Sequence, residues 1–278
     1  MTNEIILNRC FGDPLPRAKH LTVEFEDEYS FAAGTAVLES MILIAEYEKT
    51  VMRIPVTTTI PTAEGKHPTF IHITDLCHVP NMHQPTEELI ELGFAVVTVH
   101  VGGEAMNNIP RGKRGTISVW ASMASLALDY VCSLDSTDKE RIAVIGHEQY
   151  GTAALLCAAR DDRVKFAICN GSGMHINKRV SIRTIMPTLF SDGESTSDTL
   201  IREILPRRVM LGTSESDPFA SPTDTRTLIK EVFGDVTLEE CCGVMCARTD
   251  KLHYHCRSGG GYLSRRDWKL YAEYILNT

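Results

Sequence analysis

Hydrophobic and polar positions follow two different patterns along this chain of 278 residues. Residues 40–48 and 50–58 are two β-rich runs separated only by Lys49, which predicts an antiparallel hairpin, and Pro55 favours an edge position for the second run. From Pro68 onward, apolar strand-like runs alternate with amphipathic helical stretches. That alternation predicts an α/β fold with a mostly parallel central sheet and helices on both faces.

The apolar runs and the helical periods also predict where the later elements lie. We predict strands at residues 69–74, 94–100, 141–145, 164–169, 208–212 and 251–256. We predict helices at residues 86–92, 116–134, 152–159, 198–205, 222–233 and 266–276. The longest helix carries Val119, Met123, Leu126 and Tyr130 at spacings of three and four, which predicts one apolar stripe against the core.

No internal repeat or low-complexity linker divides the chain. Its length and its 43% apolar content are sufficient for one large hydrophobic core. We therefore expect a single domain over residues 1–278, with an irregular N-terminal segment over about residues 1–35. The polar stretch 191–198 is expected to be a surface loop between two helices.

Charge and cysteine content narrow the class of partner and the cellular compartment. The formal net charge is −8 and basic residues form no long run, so we expect no nucleic-acid partner. The N-terminus lacks a secretory signal pattern, and no apolar run is long enough to span a membrane, so no membrane association is expected. Nine cysteines without regular spacing indicate a reducing compartment, which predicts a cytoplasmic protein.

The candidate chemistry begins in the stretch from Ile142 to Leu156, which is typical of a buried strand, a tight turn and a helix. This arrangement presents a nucleophile above a sheet, with the next backbone N–H directed at an oxyanion hole. Gly146 and Gly151 flank the turn, although the second glycine stands one place later than in Gly-x-Ser-x-Gly. Where a serine or cysteine nucleophile would stand, this chain has Glu148.

Further sequence blocks extend this pattern along the chain. They are Gly146-His-Glu-Gln-Tyr-Gly151-Thr-Ala-Ala-Leu-Leu156, Asp161-Asp-Arg-Val164, Asn170-Gly-Ser-Gly173, Asp217-Pro-Phe-Ala-Ser-Pro222 and Tyr254-His-Cys-Arg257. In these blocks the chain resembles the α/β-hydrolase superfamily, and specifically the bacterial carbohydrate-esterase-like branch related to acetyl xylan and glucuronoyl esterases. The resemblance extends from the first hairpin to the last helix and implies an α/β-hydrolase fold.

Residue by residue, the resemblance implies a degenerate catalytic triad. Glu148 stands at the position of the serine nucleophile, and Gln149 stands where an arginine commonly follows it. Gly261 stands at the position of the base histidine. The third role, that of the acid, is open to Glu215 or Asp217, which follow a predicted strand.

Ester hydrolysis in this fold needs a nucleophile, a histidine base and oxyanion donors that act as a unit. The donors would be the Gln149 N–H and the backbone near Thr74 and Asp75. We expect Glu148 to fold over the start of the following helix, where anions are favoured, and to plug the pocket. Residues 181–205 resemble a shortened cap. These features predict a non-catalytic ligand-binding or scaffold protein.

The alternative is an active hydrolase that uses Glu148 as a carboxylate nucleophile or base. Aspartate nucleophiles of this kind work with a histidine-activated water. His253 and His255 lie on one face of the last predicted strand, so either of them would have to replace the missing base. Turnover of small esters that disappears in Glu148→Ala would distinguish this hypothesis from the first.

Other candidate residues suggest binding or packing more than catalysis. His147 is expected to pack or hydrogen-bond beneath the turn. Lys113 and Arg114 lie in a loop that would line the pocket, where they could meet a small carbohydrate-like or anionic ligand. We expect no metal and no cofactor, because the possible metal ligands lack a usual spacing; they are His72, His78, His83, His100, Cys241, Cys242, Cys246 and Cys256. The sequence leaves a homo-oligomer open.

Overall fold

A single eleven-stranded sheet forms the centre of the computed structural model, which describes residues 3–76, 78–172, 196–217, 220–241 and 243–278. The strands are β1 His20–Phe31, β2 Ala36–Glu46, β3 Val51–Pro61, β4 His67–Thr74, β5 Ala95–His100, β6 Thr137–His147, β7 Phe166–Asn170, β8 Arg208–Ser214, β9 Glu239–Cys241, β10 Val244–Arg248 and β11 Leu252–Arg257. The helices are α1 Asn3–Phe11, α2 Thr86–Glu91, α3 Thr116–Ser133, α4 Gln149–Arg160, α5 Thr196–Ile204, α6 Pro222–Phe233 and α7 Arg265–Leu276.

The strand order is β1-β2-β3-β5-β4-β6-β7-β8-β11-β10-β9. The six central strands, from β5 to β11, are parallel, and antiparallel strands extend the sheet on both sides. Central strands are buried on both faces, as Ile71 and Val144 illustrate with no exposed surface. The predicted α/β class, with a mostly parallel centre and an N-terminal antiparallel hairpin, is confirmed.

Helices cover both faces of the sheet and produce two separate apolar layers. On one face, α1, α3, α4, α5 and α6 pack over the sheet, with Leu128 and Leu156 fully buried. On the other face, α2 and α7 pack against strand residues of the central sheet, and Trp268 stacks edge-on against Phe70. The parallel strands therefore present their carboxyl ends at one edge of the sheet, where ligands bind in open α/β folds.

The prediction of an irregular segment over residues 1–35 is wrong, because α1 and β1 lie within it. The start of β1 does alternate apolar and polar residues, at Leu21, Val23 and Phe25, but the acidic run that follows and the exposure of most of the strand weaken this signal. The short strands β9 and β10 were also not predicted, since each has at most five residues.

The predicted hairpin is confirmed as β2 and β3, but the edge position assigned through Pro55 is wrong. β3 lies between β2 and β5, and β1 is the edge strand. Pro55 is tolerated because β5 pairs with β3 only from Val56 to Thr59, so the missing N–H falls just outside that ladder. Most of the predicted cap region, 181–195, and most of the polar loop 191–198 lie outside the described residues.

The later predicted helices and strands are all present, with boundaries within a few residues of those expected. Helix α6 begins and ends at the predicted residues. None of the helices in the described ranges is both long enough and apolar enough to cross a membrane.

Candidate active site

The connection from β6 to α4 forms a sharp turn at the carboxyl end of the sheet. Glu148 occupies φ 51° and ψ −124°, a backbone conformation that favours glycine and costs an ordinary residue about 1–3 kcal/mol. A Cβ on Gly146 would lie 2.2 Å from the Tyr150 carbonyl group, and one on Gly151 would lie 3.0 Å from Cys169 Sγ. The two glycines therefore allow the strand, the turn and the helix to pack in a nucleophile-elbow geometry.

The Glu148 side chain does not plug the pocket, so that expectation is wrong. Its carboxylate makes no capping hydrogen bond to the first turn of α4, and the side chain is 53% exposed. The backbone N–H of Glu148 donates to the Asn170 carbonyl at 2.9 Å, which fixes the turn against β7. Water already solvates the exposed carboxylate, so the N–H groups of the helix gain little by capturing it.

His147 lies beneath the turn and is held by Asn170. Its Nδ1 lies 3.1 Å from the Asn170 carbonyl and 3.0 Å from Asn170 Oδ1, while Asn170 Nδ2 donates to the Tyr271 hydroxyl at 3.0 Å. Because the backbone carbonyl can only accept, Nδ1 carries the proton, and in the neutral ring Nε2 is an acceptor. His147 Nε2 lies 3.8 Å from Glu148 Oε1, which is beyond direct hydrogen-bond distance.

The structure distinguishes the two acid candidates after β8. Glu215 is exposed, and its backbone N–H donates to the Arg257 carbonyl at 2.9 Å. Asp217 is half-buried, and its Oδ1 accepts the Ala220 N–H at 3.0 Å. A Cβ built on Gly261 would lie only 2.3 Å from Asp217 Oδ2. Asp217 therefore lies directly against the position where the resemblance places the base histidine.

Gly261 has no backbone requirement for glycine, since its φ lies outside the left-handed region. The Asp217 carboxylate occupies the space that a side chain at Gly261 would need. The residues around it, including Asn170 and Ser214, enclose a space too small for a water molecule.

His253 and His255 do not replace the base. Both are fully buried on β11, on the face covered by α7. His255 Nε2 lies 2.7 Å from Asp267 Oδ1, and His253 Nε2 lies 3.1 Å from His255 Nδ1. Burial lowers the pKa of His253 to about 2, and the neighbouring His255 and Arg248 add to the effect. Alternation along β11 directs these rings into the core and away from Glu148.

The end of β4 meets the first turn of α4, as expected for an oxyanion region. Thr74 is buried, its hydroxyl accepts the Leu76 N–H at 3.2 Å, and Asp75 is exposed. The Tyr150 hydroxyl is hydrogen-bonded to the side chains of both Gln149 and Asp75. Burial is the largest cause that raises the pKa of Tyr150 to about 12. The elbow is thus surrounded by the carboxylates of Asp75, Glu148 and Asp217.

The loop cations do not offset these carboxylates. Arg114 donates to the carbonyls of Pro14, Pro110 and Arg111, so its guanidinium holds the loop and the N-terminal segment together. Lys113 is exposed. A site with this balance of charge favours hydroxyl groups of a neutral ligand over an anion.

Two of the remaining candidate histidines, His72 and His100, form hydrogen bonds within the fold. His72 Nδ1 lies 2.5 Å from Gln84 Oε1. His100 Nδ1 donates to the Leu76 carbonyl at 2.7 Å. Burial is the main reason why the pKa of His72 is lowered to about 4. Over the described ranges, no group of three His, Cys, Asp or Glu side chains could hold a metal ion. Cys246 and Cys256 are buried and form no disulfide, and Cys242 lies outside those ranges.

Sequence reasoning missed the residues that support the elbow from below. Asn170 joins His147 to Tyr271 on α7 through hydrogen bonds. A Cβ on Gly212 would lie only 2.2 Å from the Tyr271 hydroxyl, so glycine is needed there. In the sequence, Asn170 is only the first residue of the block Asn170-Gly-Ser-Gly173, and no local pattern predicts that its side-chain amide connects the two faces of the sheet.

No family model matches this chain, and the comparisons with known proteins find similarities to esterases. In sequence it is 25% identical over 234 residues to carbohydrate esterase MZ0003 from an unknown prokaryotic organism. That match covers 68% of this chain and 54% of the relative, so the chain spans about half the length of that protein.

Solved structures give a similar answer at the level of the fold. A glucuronoyl esterase from Solibacter usitatus matches with a TM-score of 0.77 at 18% identity, covering 98% of this chain and 90% of that one. A promiscuous CE15 esterase from a marine bacterial metagenome matches with a TM-score of 0.79 at 18% identity, covering 98% and 89%. Acetyl xylan esterase 1 from Thermoanaerobacterium sp. matches with a TM-score of 0.64 at 16% identity, covering 100% and 98%.

Proposed function

We propose, from the premise that this chain has the α/β-hydrolase fold and resembles carbohydrate esterases in sequence, that it binds a carbohydrate-like ligand without hydrolysing esters. The observation that carries the proposal is the pair Asp217 and Gly261, in which the acid lies in the space of the absent base. Glu148 at the elbow is the second departure from the chemistry of a serine esterase.

The missing groups belong to one catalytic unit. A serine hydroxyl needs a histidine to take its proton and later return it, and the acid only orients that histidine. Removing the nucleophile or the base of such a unit costs roughly a millionfold in turnover. Asp217 alone cannot activate a water or a hydroxyl for acyl transfer, so ester hydrolysis by the serine route is not expected.

The composition of the site supports a neutral ligand that is rich in hydroxyl groups. The exposed carboxylates of Asp75 and Glu148 can accept hydrogen bonds from hydroxyl donors, and repulsion from these two groups and from Asp217 disfavours an acidic sugar. Of the two ligand classes expected from the sequence, carbohydrate-like and anionic, the first fits these residues better.

The test combines turnover and binding on the same preparation. Wild-type protein is expected to give no hydrolysis of small acetyl esters above the buffer rate, and to bind xylotriose more tightly than glucuronate by isothermal titration calorimetry. Glu148→Ala should weaken xylotriose binding by no more than about threefold, because the exposed carboxylate only exchanges a hydrogen bond to water for one to the ligand and the net gain is small. Turnover by the wild type, or no sugar binding at all, would contradict the proposal.

A reconstruction tests the missing chemistry directly. Glu148→Ser combined with Gly261→His is expected to give detectable ester turnover, while each change alone gives none, since neither group works without the other. The new histidine requires the Asp217 carboxylate to rotate away, and the backbone at residue 261 permits a side chain. A folded double variant without activity would mean that the pocket has lost more than its triad.

The second candidate function is an active hydrolase that uses Glu148 as nucleophile or base. One observation favours it: His147 Nε2, an acceptor, lies 3.8 Å from Glu148 Oε1. A water that contacts both atoms would have a basic nitrogen and a carboxylate beside it. Under this function, wild-type turnover disappears in both Glu148→Ala and His147→Phe. The calorimetric and turnover measurements above separate the two functions.

A cytoplasmic location also belongs to the proposal. Buried cysteines that form no disulfide, at Cys10, Cys157, Cys169, Cys246 and Cys256, support a reducing compartment. Fractionation of the cells that make the protein tests this location.

A further inference from the structure

A groove of about 700 Å³ lies between α1, the segment Pro14–Ala18, α3, α4 and α5, and we call it the α1 groove. Its floor on α4 is formed near Arg160, at the opposite end of that helix from Glu148. At 1.5 Å per residue the two ends are about 16 Å apart, so the groove is separate from the elbow. Its volume is typical of small-molecule sites.

Apolar side chains line much of the α1 groove. Leu7, Leu15 and Leu126 come from three different segments, and each is at most 9% exposed. Ala121 and Ala159 widen the groove because their side chains are short. An aliphatic or aromatic ligand body would therefore replace water along surfaces supplied by α1 and by the two helices it covers.

Arg160 supplies a positive charge in the lining of the groove. Its guanidinium donates to Ser118 Oγ at 2.6 Å, Asn8 Oδ1 at 2.8 Å and the Gly12 carbonyl at 2.8 Å. These acceptors are all neutral, and among the described residues no carboxylate forms an ion pair with Arg160. Since a guanidinium has five N–H donors, these three bonds leave donors for a further acceptor.

Burial weakens the solvation of this cation and leaves its charge poorly compensated. Burial lowers the pKa of Arg160 to about 10, and Asp13 and Glu4 oppose the effect through space without bonding to it. A second polar group lines the same groove: the Tyr47 hydroxyl is buried and has no hydrogen-bond partner among the described residues. Both groups would gain from an anionic ligand that accepts hydrogen bonds.

Other charges along the groove are mostly engaged. Asp129 is paired with Arg163 at 2.6 Å, and Glu203 also has a partner. Glu4 and Arg17 are exposed, and they have opposite charges. Of the two arginines that line the groove, Arg160 is therefore the half-buried cation available to a ligand.

We propose that the α1 groove binds an amphipathic carboxylate, whose acid group pairs with Arg160 and whose apolar body lies along Leu7, Leu15 and Leu126. This site is independent of the proposed function of the elbow. A bidentate Arg–carboxylate pair fixes the orientation of the ligand, and the apolar contacts supply affinity.

The test uses decanoate, decanol and decylamine as probes with the full chain, each below its micellar concentration, in isothermal titration calorimetry. Decanoate is expected to bind at least tenfold more tightly than decanol, and decylamine more weakly than either. Arg160→Met should weaken decanoate binding at least tenfold while leaving decanol binding within about threefold. Ala159→Phe should abolish the binding of all three probes by filling the groove.

Arg207→Met is the matched control. Arg207 is another half-buried arginine with a lowered pKa, chiefly from burial, and it donates to the carbonyls of Asp161 and Val164 but does not line the groove. This variant should bind decanoate like the wild type. If Arg160→Met fails to fold, as judged by circular dichroism, Ala159→Phe and the comparison of decanoate with decanol still decide the proposal. No decanoate binding by the wild type, equal affinity for decanoate and decanol, or a preference for decylamine would overturn it.

Discussion

At the scale of single residues, the elbow has the backbone of a nucleophile position but carries Glu148 where a serine or cysteine would stand. Glu148 retains the positive φ that a nucleophile position requires, although its side chain makes no hydrogen bond to the helix start. Gly261 lies against Asp217, since a Cβ on Gly261 would be 2.3 Å from Asp217 Oδ2. The backbone of Glu148 is therefore strained although its side chain does not cap the helix.

This strain gives a stability prediction for Glu148. At φ 51° and ψ −124°, alanine is as strained as glutamate, whereas glycine adopts the conformation freely. Glu148→Gly is therefore expected to be more stable than Glu148→Ala by about 1–2 kcal/mol, measured by urea unfolding. Equal stabilities of the two variants would mean that the turn relaxes when its carboxylate is removed.

At the scale of elements, β11 and α7 are joined by a buried polar network. Asp267 accepts hydrogen bonds from His255 at 2.7 Å, from Arg257 at 3.0 Å and from the Ser264 N–H at 2.7 Å, which closes a capping box at the start of α7. Burial by itself would raise the pKa of Asp267, but the bonds from His255 and Ser264 and the charge of Arg257 outweigh it and lower that pKa. The network fixes α7 against the strand that leads to Gly261.

The neutral histidine beside this network makes the fold sensitive to acid. The pKa of His253 is lowered to about 2, so below an unfolded pKa of about 6.5 the unfolded chain binds a proton that the folded chain refuses. Stability therefore falls as the pH drops from about 6.5 towards 2, by about 1.4 kcal/mol per pH unit for this residue.

We expect His253→Phe to reduce the loss of unfolding free energy between pH 7 and pH 5 by about 2 kcal/mol. A phenyl ring suits a site that already contacts the Tyr271 and Tyr274 rings. Urea unfolding at both pH values measures the change. His20→Gln is the control, since His20 is exposed. A difference between pH 7 and pH 5 that stays as large as in the wild type would refute the assignment to His253.

At the scale of the whole molecule, the sheet ends in a long acidic edge. β1 pairs only with β2 among the described strands, and it carries Glu24, Glu26, Asp27 and Glu28 beside the exposed Phe25. Its pairing with β2 is interrupted by a bulge at Phe25 and Asp27. Charges and bulges of this kind prevent edge strands from pairing with another copy of the sheet.

Neutralising this edge should promote self-association. The triple variant Glu26→Gln, Asp27→Asn and Glu28→Gln is expected to form dimers or larger species at concentrations where the wild type does not change in mass, measured by light scattering. A control with the same change in net charge replaces Glu64, Glu87 and Glu91, which are exposed elsewhere, with glutamine. Association of both variants to the same extent would assign the effect to net charge alone.

The sequence by itself determined the central strands, most of the helices and the elbow, because those features depend on local periodicity and on glycine spacing. The resemblance of its sequence blocks to carbohydrate esterases also implied Gly261 as the position of the base histidine and left two candidates for the acid, Glu215 and Asp217. Only the tertiary structure placed Asp217 and not Glu215 against Gly261, exposed the Glu148 carboxylate, and buried His253 and His255 under α7. It also formed the α1 groove around Arg160 from segments distant in sequence. Local patterns fix where a strand or helix lies along the chain, whereas strand order and helix packing determine which side chains meet.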